Sequence, residues 1–410
     1  MAGAGRPASR ADALVLDLDT RAGLSMVRTL ARAGLRVAGA SKDQRASGLK
    51  TRHAVERTIL PDPETDFKGF VDALVGSLAA RPADGILAST DWSVEAMQRN
   101  RELIGRFSAP ALGTPEAVEI ALDKERTLAL ARTLGIAIPR SVKVSSPAEL
   151  VSAVSEVGTP CVLKPVSSWQ TTDEGGARLS PLYASDLDGA QEAATTLLAP
   201  RGAAVLVQEV VGGTRETIKL FRNAGRTLVR FAMAIDRTWP PLGGSSVMRR
   251  SISPPEDALL AAERLVAEIG LDGYSEVEFR RSPDGAPVLM EVNPRLSQSV
   301  ELAIRAGVDF PRMQLEWARG GRIPEPAAPR LGVRVGWLGG EVRLVAGALR
   351  GSPPPRPRLS PELRALVYDY LVHGSRIEGF DIRDLRPTFG ALASGASRLP
   401  AARAESRNAV

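Results

Sequence analysis

Leu289-Met290-Glu291-Val292-Asn293-Pro294-Arg295 is the stretch on which the fold turns. It is an apolar run that ends in an acid, an amide and a guanidinium, with a proline to stop it. Glu291 and Asn293 lie two residues apart, so a strand directs both side chains to one face. Just upstream, Tyr274-Ser275-Glu276-Val277-Glu278-Phe279-Arg280 alternates in the same way and gathers Glu276 and Glu278 on one face. Ser282-Pro283-Asp284-Gly285, between the two runs, is a hairpin signal. A two-residue Asp284-Gly285 loop sets Glu278 opposite Glu291 and Glu276 opposite Asn293. A type I turn with a bulge shifts that register by one residue. Directly opposed side chains sit about 4.5–5.5 Å apart at Cβ, where like charges repel. Two carboxylates and an amide converging in this way call for a divalent cation, and hard oxygen ligands suit Mg2+ held together with substrate phosphates. The alternative is an edge hairpin with a solvated acidic face.

The composition narrows the chemistry. A chain of 410 residues has room for two to four domains. No run of about 18 apolar residues is present, which argues against a membrane span. The first ten residues lack the apolar core of a signal peptide. A single cysteine and two histidines exclude a disulfide framework, a cysteine metal cluster and a multi-histidine site. A cytoplasmic enzyme that does not depend on His or Cys chemistry is expected. The net charge of +6 comes from the segment after residue 329. Its arginines read as a poorly ordered basic end, with docking to an anionic partner as the alternative. Only 7 of the 53 basic residues are lysines, so each lysine is worth a separate look.

In chain order, residues 11–40 read as strand, helix, strand, a βαβ opening. Gly3-x-Gly5-x-x-Ala8 loosely mimics a dinucleotide fingerprint, but it precedes the strand and is rejected. Ile86-Leu87-Ala88 delivers Ser89-Thr90-Asp91-Trp92 to a strand end, either as a crevice lining or as a helix cap. Lys124 opens a helix after Asp123. A cation there is unfavourable unless it joins the helix terminus in holding an anion; an ordinary solvated lysine is the other reading. Lys164 interrupts the apolar strand Pro160–Val166. The polar stretch 167–180, with Gly175-Gly176, suits a lid over phosphates or a plain loop. Val205–Val211 is a further strand, carrying Gln208 and Glu209 and followed by Gly212-Gly213 and Glu216. Residues 256–269 form an amphipathic helix.

No Gly-x-x-x-x-Gly-Lys-Ser/Thr occurs, so a P-loop is excluded. Thr90-Asp91, Asp123-Lys124, Leu163-Lys164-Pro165, Gln208-Glu209 and Glu291-Val292-Asn293-Pro294-Arg295 follow one another in an order that resembles the ATP-grasp superfamily. The resemblance runs from about Leu14 to Ile323, and its nearest branch looks like the carboxylate–amine ligases of the D-aspartate ligase type. It implies an α/β chain with α+β lobes, an ATP-grasp fold behind an N-terminal Rossmann-like pre-ATP-grasp domain. The expected divisions are a disordered terminus (1–10), the pre-ATP-grasp domain (11–112), a small lobe with the phosphate lid (113–190), a large lobe with the Mg–ATP site (191–330), a C-terminal extension (331–386) and a disordered tail (387–410).

Residue by residue, the resemblance implies that Lys124 and Lys164 contact ATP phosphates. The strand from Gln208 to Val211 holds adenine through Glu209 and backbone groups, and Glu216 takes the ribose hydroxyls. Glu278, Glu291 and Asn293 bind one or two Mg2+, with Mn2+ as an alternative ion. Arg295 holds an acyl phosphate or a substrate carboxylate, and Arg249 or Arg250 helps to neutralise phosphate. Asp173 and Glu174 in the lid depart from the pattern, because acids are unwelcome beside a triphosphate. The implied activity is ligation of a carboxylate to an amine or thiol through an acyl phosphate, with ADP and phosphate released. A non-amine acceptor and a non-catalytic nucleotide-binding module are the alternatives. Partners are small carboxylate and amine substrates, without nucleic acid or a membrane span; a homodimer is left open.

Overall fold

The computed structural model describes residues 10–390 apart from 173–174, 201, 242 and 351–358. The expectations for both termini beyond these limits, for the proline-rich segment around 352–357 and for Asp173 and Glu174 lie outside the described residues. Residues 386–390 are helical, so chain order extends past the expected start of the tail at 387.

The first unit is a five-stranded parallel sheet in the order Ala54–Ile59, Val37–Ser41, Ala11–Val15, Ala83–Leu87, Ala109–Pro110. Parallel strands need crossover connections, and helices Arg21–Arg32 and Phe67–Ala80 supply them. The turn after the first strand is locked by Asp17, which has φ 63°. Its carboxylate accepts from Ser89 N (2.7 Å), Thr90 Oγ1 (2.9 Å) and Ser93 Oγ (2.6 Å). Gly23 lets the helix that follows approach this turn, since a Cβ there would lie 2.2 Å from the Asp17 carbonyl oxygen.

The second unit is a four-stranded antiparallel sheet in the order Leu182–Ala184, Cys161–Pro165, Val205–Glu209, Ser141–Val144. Val205–Glu209 pairs on both sides within it, so the expected division at residue 190 cuts through this sheet. Helices Leu150–Val157 and Leu187–Leu197 cover one face with a small apolar core. The stretch expected as a lid forms a two-stranded hairpin, Trp169–Thr171 with Gly176–Arg178. Its anchor is Trp169, buried against Phe67 and Trp92 of the first unit with both ring centroids 5.9 Å away. Gly176 is needed here because a Cβ would fall 1.9 Å from the Trp169 ring.

The third unit is a seven-stranded sheet in the order Pro287–Asn293, Gly273–Arg281, Thr214–Asn223, Arg226–Trp239, Ser245–Ile252, Arg334–Gly336, Arg376–Ile377. Helix Glu256–Ile269 packs its apolar residues with Ile218, Leu220, Val277 and Phe279 in one core. Phe231, Met233, Ile235 and Tyr274, from the opposite face, share a core with Met26, Leu30 and Phe310. The C-terminal extension is thus partly a sheet edge.

The decisive hairpin pairs Glu278 with Glu291 and Glu276 with Asn293. The route to that register differs from the expectation. Arg281 pairs with Pro287, so the loop is Ser282–Ala286 rather than two residues, closed by Ser282 N to Ala286 O at 2.9 Å. That loop shifts the ladder by one, and a bulge at Met290, between the Phe279–Leu289 and Glu278–Glu291 pairs, restores it.

Trp169→Ala removes the wedge that docks the 169–178 hairpin. Limited trypsinolysis at the exposed Arg178 is expected to speed up at least tenfold. Cleavage as slow as in the parent chain would show that the hairpin is held by other contacts.

Candidate functional site

In an antiparallel sheet, paired residues share a face. Arg215, Thr217 and Lys219 pair with Arg280, Glu278 and Glu276, so all six side chains project from one face. Lys219 is completely buried and forms an ion pair with Glu276. Its ammonium also reaches Tyr274 Oη (3.0 Å), Ser297 Oγ (2.8 Å) and Ser299 Oγ (2.8 Å). Burial alone raises a carboxyl pKa, but the charge of Lys219 and its hydrogen bonds hold Glu276 below the ordinary range. Glu276 is therefore consumed in a structural cluster.

Glu278 is in a different state. Arg215 donates to it from Nη2 (2.5 Å) and Nε (2.8 Å), and holds the Gly244 carbonyl at 2.7 Å. Even so, burial together with the nearby charges of Glu291 and Glu276 pushes the Glu278 carboxyl up to about 7. Glu291 stays below the usual range: the charges of Lys124, Lys164 and Arg215 outweigh its burial. Asn293 Nδ2 donates to Glu291 Oε1 at 3.2 Å.

The facing wall carries both lysines. Asp123 caps the helix Lys124–Thr133 through Arg126 N. The ammonium of Lys124 lies 2.8 Å from Ser168 Oγ and 3.9 Å from Glu291 Oε2. Lys164 Nζ is 3.8 Å from Met290 Sδ. Its pKa falls to about 8, chiefly through burial, with the Lys124 charge adding and Glu291 opposing. Asp91, Lys124, Ser168, Trp169, Glu291 and Asn293 line one concavity. Arg295 closes one end: its Nε donates to Asp91 Oδ1 at 2.6 Å, and that charge holds Asp91 below the ordinary range despite burial. Thr90 caps the helix that begins at Asp91, so both readings of Thr90-Asp91 apply together.

Other expected residues lie apart from this cluster. Leu206 pairs with Lys164, so Gln208 shares the lysine's face; it is buried, and its Nε2 has no partner. Glu209 points to the other face, where it accepts from Arg140 N (2.9 Å) and Nε (2.8 Å). Val211 is half-buried just beyond the strand. Glu216 is on the reverse face of the large sheet, held by Arg281 Nη2 at 2.8 Å. The side chain aimed into the cleft at that point is Arg215. Arg249 shares the cleft face but is engaged by Glu378 and by Ser246 Oγ (3.0 Å). Arg250 pairs with Asp236 at 3.1 Å. Sequence reasoning missed Arg215 and Lys219, although Arg215-Thr217-Lys219 has the same period-two polar pattern as the acidic hairpin.

Among the described residues, no three His, Cys, Asp or Glu side chains gather as metal ligands. Two carboxylates and an amide nevertheless suit Mg2+, which keeps waters and takes the rest of its shell from phosphates. The raised Glu278 carboxyl beside Glu291 is what a nearby cation would relieve, so the residues fit such an ion.

A family profile described as "ATP-grasp in the biosynthetic pathway with Ter operon" matches residues 202–341. The carbamoyl phosphate synthase large chain of Methanothrix thermoacetophila is 26% identical over 269 residues, 61% of this chain and 24% of that one. The corresponding chain of Methanospirillum hungatei is 28% identical over 285 residues, 65% and 26% respectively. This chain therefore spans about a quarter of the length of these relatives. The N5-carboxyaminoimidazole synthetase from Staphylococcus aureus complexed with ADP superposes with a TM-score of 0.63 at 13% identity, covering 84% of this chain and 87% of that one. The L-amino acid ligase from Bacillus licheniformis superposes with a TM-score of 0.59 at 16% identity, covering 77% and 78%. The chain has the ATP-grasp fold, and its residues 202–341 match an ATP-grasp family profile.

Proposed function

We propose that the chain is an ATP-dependent carboxylate–amine ligase, with a thiol as the alternative acceptor, that works through an acyl phosphate and releases ADP and phosphate. The observation that carries this reading is the opposition of Glu278 and Glu291 on one wall to Lys124 and Lys164 on the other, with Arg295 at the end. Phosphoryl transfer needs positioning and charge neutralisation more than a protein nucleophile, and this wall supplies both without His or Cys.

In this reading the base lies toward Gln208, whose buried Nε2 lacks a partner. Lys164 and Lys124 hold the triphosphate. Glu278, Glu291 and Asn293 would hold one or two Mg2+, which would supply neutralising charge for the phosphates. Arg295 orients the acid, whose carboxylate oxygen attacks the γ-phosphorus and expels ADP. The amine then attacks the acyl carbon, phosphate leaves, and the nitrogen loses a proton. The relatives support this class of reaction by their names, and the carboxylate–amine branch, the substrates and any homodimer belong to the same proposal. No helix among the described residues is long and apolar enough to cross a membrane.

The reading is tested by ADP release with Mg2+·ATP and a panel of carboxylic acids and amines, with product mass spectrometry. ADP that depends on both an acid and an amine supports it; none with any pair, despite tight nucleotide binding, favours a binding module. Glu291→Gln is expected to lower the rate at least 100-fold while circular dichroism is unchanged, and near-parent turnover would remove the metal assignment. Arg215→Gln is expected to alter the Mg2+ dependence of ATP binding. Glu216→Gln, on the reverse face, is expected to leave the ATP Kd within twofold; a large loss there would restore Glu216 to the site. Lys164 also gives a pH signature. Its free-state pKa of about 8 must rise when it meets a triphosphate, so binding takes up a proton and weakens as pH climbs through 8. Calorimetry at pH 8.5 in buffers of different ionisation enthalpy reads this uptake directly, and its absence would contradict the lysine's role.

A further inference from the structure

Arg21 opens the helix that follows the first strand, at the carboxyl edge of the parallel sheet, where open α/β sheets bind ligands. Its guanidinium lies 4.3 Å over the Trp337 ring, and its Nη1 donates to Glu378 Oε2 at 2.6 Å. Arg249, from the large sheet, donates through Nη2 to the other oxygen of the same carboxylate. The side chains of Arg249 and Glu378 are both 0% exposed. One carboxylate from the C-terminal extension thus bridges a guanidinium from each of two units.

The charges do not balance around it. Glu301 is close enough to act on Arg21, but it is committed elsewhere. Its Oε2 accepts from Ser25 Oγ (3.1 Å) and Gly379 N (2.8 Å), and its Oε1 from Arg305 Nε (2.7 Å). Arg249 Nε is buried without any acceptor. A buried donor that the protein leaves unmet points to a ligand oxygen. Arginine is also the side chain whose planar fork matches a carboxylate.

We propose that Arg21 and Arg249 recognise a carboxylate of the acid substrate, and that Glu378 stands in for that group in the ligand-free protein as a competitor tethered in cis. The proposal rests on the ligase reading. It requires only one side chain to turn, because the backbone around Glu378 is anchored independently. Glu378 N donates to Gly336 O at 2.8 Å, and Gly379 O accepts from Arg28 Nη1 at 2.7 Å. Asp384 accepts from Arg28 Nε (2.9 Å) and Thr51 Oγ1 (2.6 Å). Two guanidiniums on one carboxylate leave a positive charge and a free Nε donor that a second carboxylate can satisfy.

The test is isothermal calorimetry of the full chain with succinate as the probe. Glu378→Gln keeps the shape and removes the competing charge, so succinate should bind at least tenfold more tightly than to the parent chain. Adding Arg249→Gln should abolish the gain. Equal affinity in the parent and a folded Glu378→Gln, or a gain that survives loss of Arg249, overturns the proposal. Should Glu378→Gln fail to fold, Glu378→Asp decides: its shorter reach should give a smaller gain, and none in a folded variant overturns the idea equally. ADP release by the parent chain with acid and amine panels separates the two readings. Acid- and amine-dependent release without a succinate effect sinks this inference alone, whereas no release with any pair sinks the ligase reading beneath it.

Discussion

Glu278 and Glu291 face each other across one hairpin, and the rest of the site is arranged around the repulsion between them. Removing two carboxylates from water next to one another is unfavourable unless positive charge comes with them. The chain answers in two ways. Arg215 binds Glu278 directly, while Lys124 and Lys164 bring charge to Glu291 from the opposite wall. Glu276, one pair further along, is neutralised outright by Lys219 inside a hydroxyl cluster. The same face therefore carries a finished ion pair and an unfinished one, and the unfinished one opens on the concavity.

The hairpin was legible because its two strands alternate strictly and lie close in sequence. The facing pairs came out as expected although the loop did not: a five-residue loop and a bulge at Met290 offset each other. The same rule explains what was misread. Strand parity decides which residue enters a cleft, and a one-residue change in where a strand begins reverses every side chain. The resemblance implies Glu216 for the ribose, but pairing with Phe279 sends Glu216 to the helix-covered face and gives the cleft to Arg215. Gln208, not Glu209, shares the Lys164 face for the same reason.

Arg249 is held by a partner that lies far away in the sequence. Its partner Glu378 lies 129 residues downstream in the C-terminal extension, and no local pattern announces so distant a pairing. The extension is more than a basic tail. It adds two strands to the large sheet and fastens the first unit to it through Glu378, Asp381 and Asp384. Other arginines make similar cross-links: Arg28, Arg237 and Arg334 each bind an acid from a separate part of the chain.

In the proposed function a divalent ion and a nucleotide's phosphates complete the charge balance between the carboxylate wall and the two lysines. Anomalous diffraction from a crystal grown with Mn2+ and a non-hydrolysable ATP analogue tests it most directly. The account predicts an anomalous peak within coordination distance of Glu278 and Glu291, with the triphosphate reaching Lys124 and Lys164. A peak away from both carboxylates, or a nucleotide bound without approaching either lysine, would contradict it.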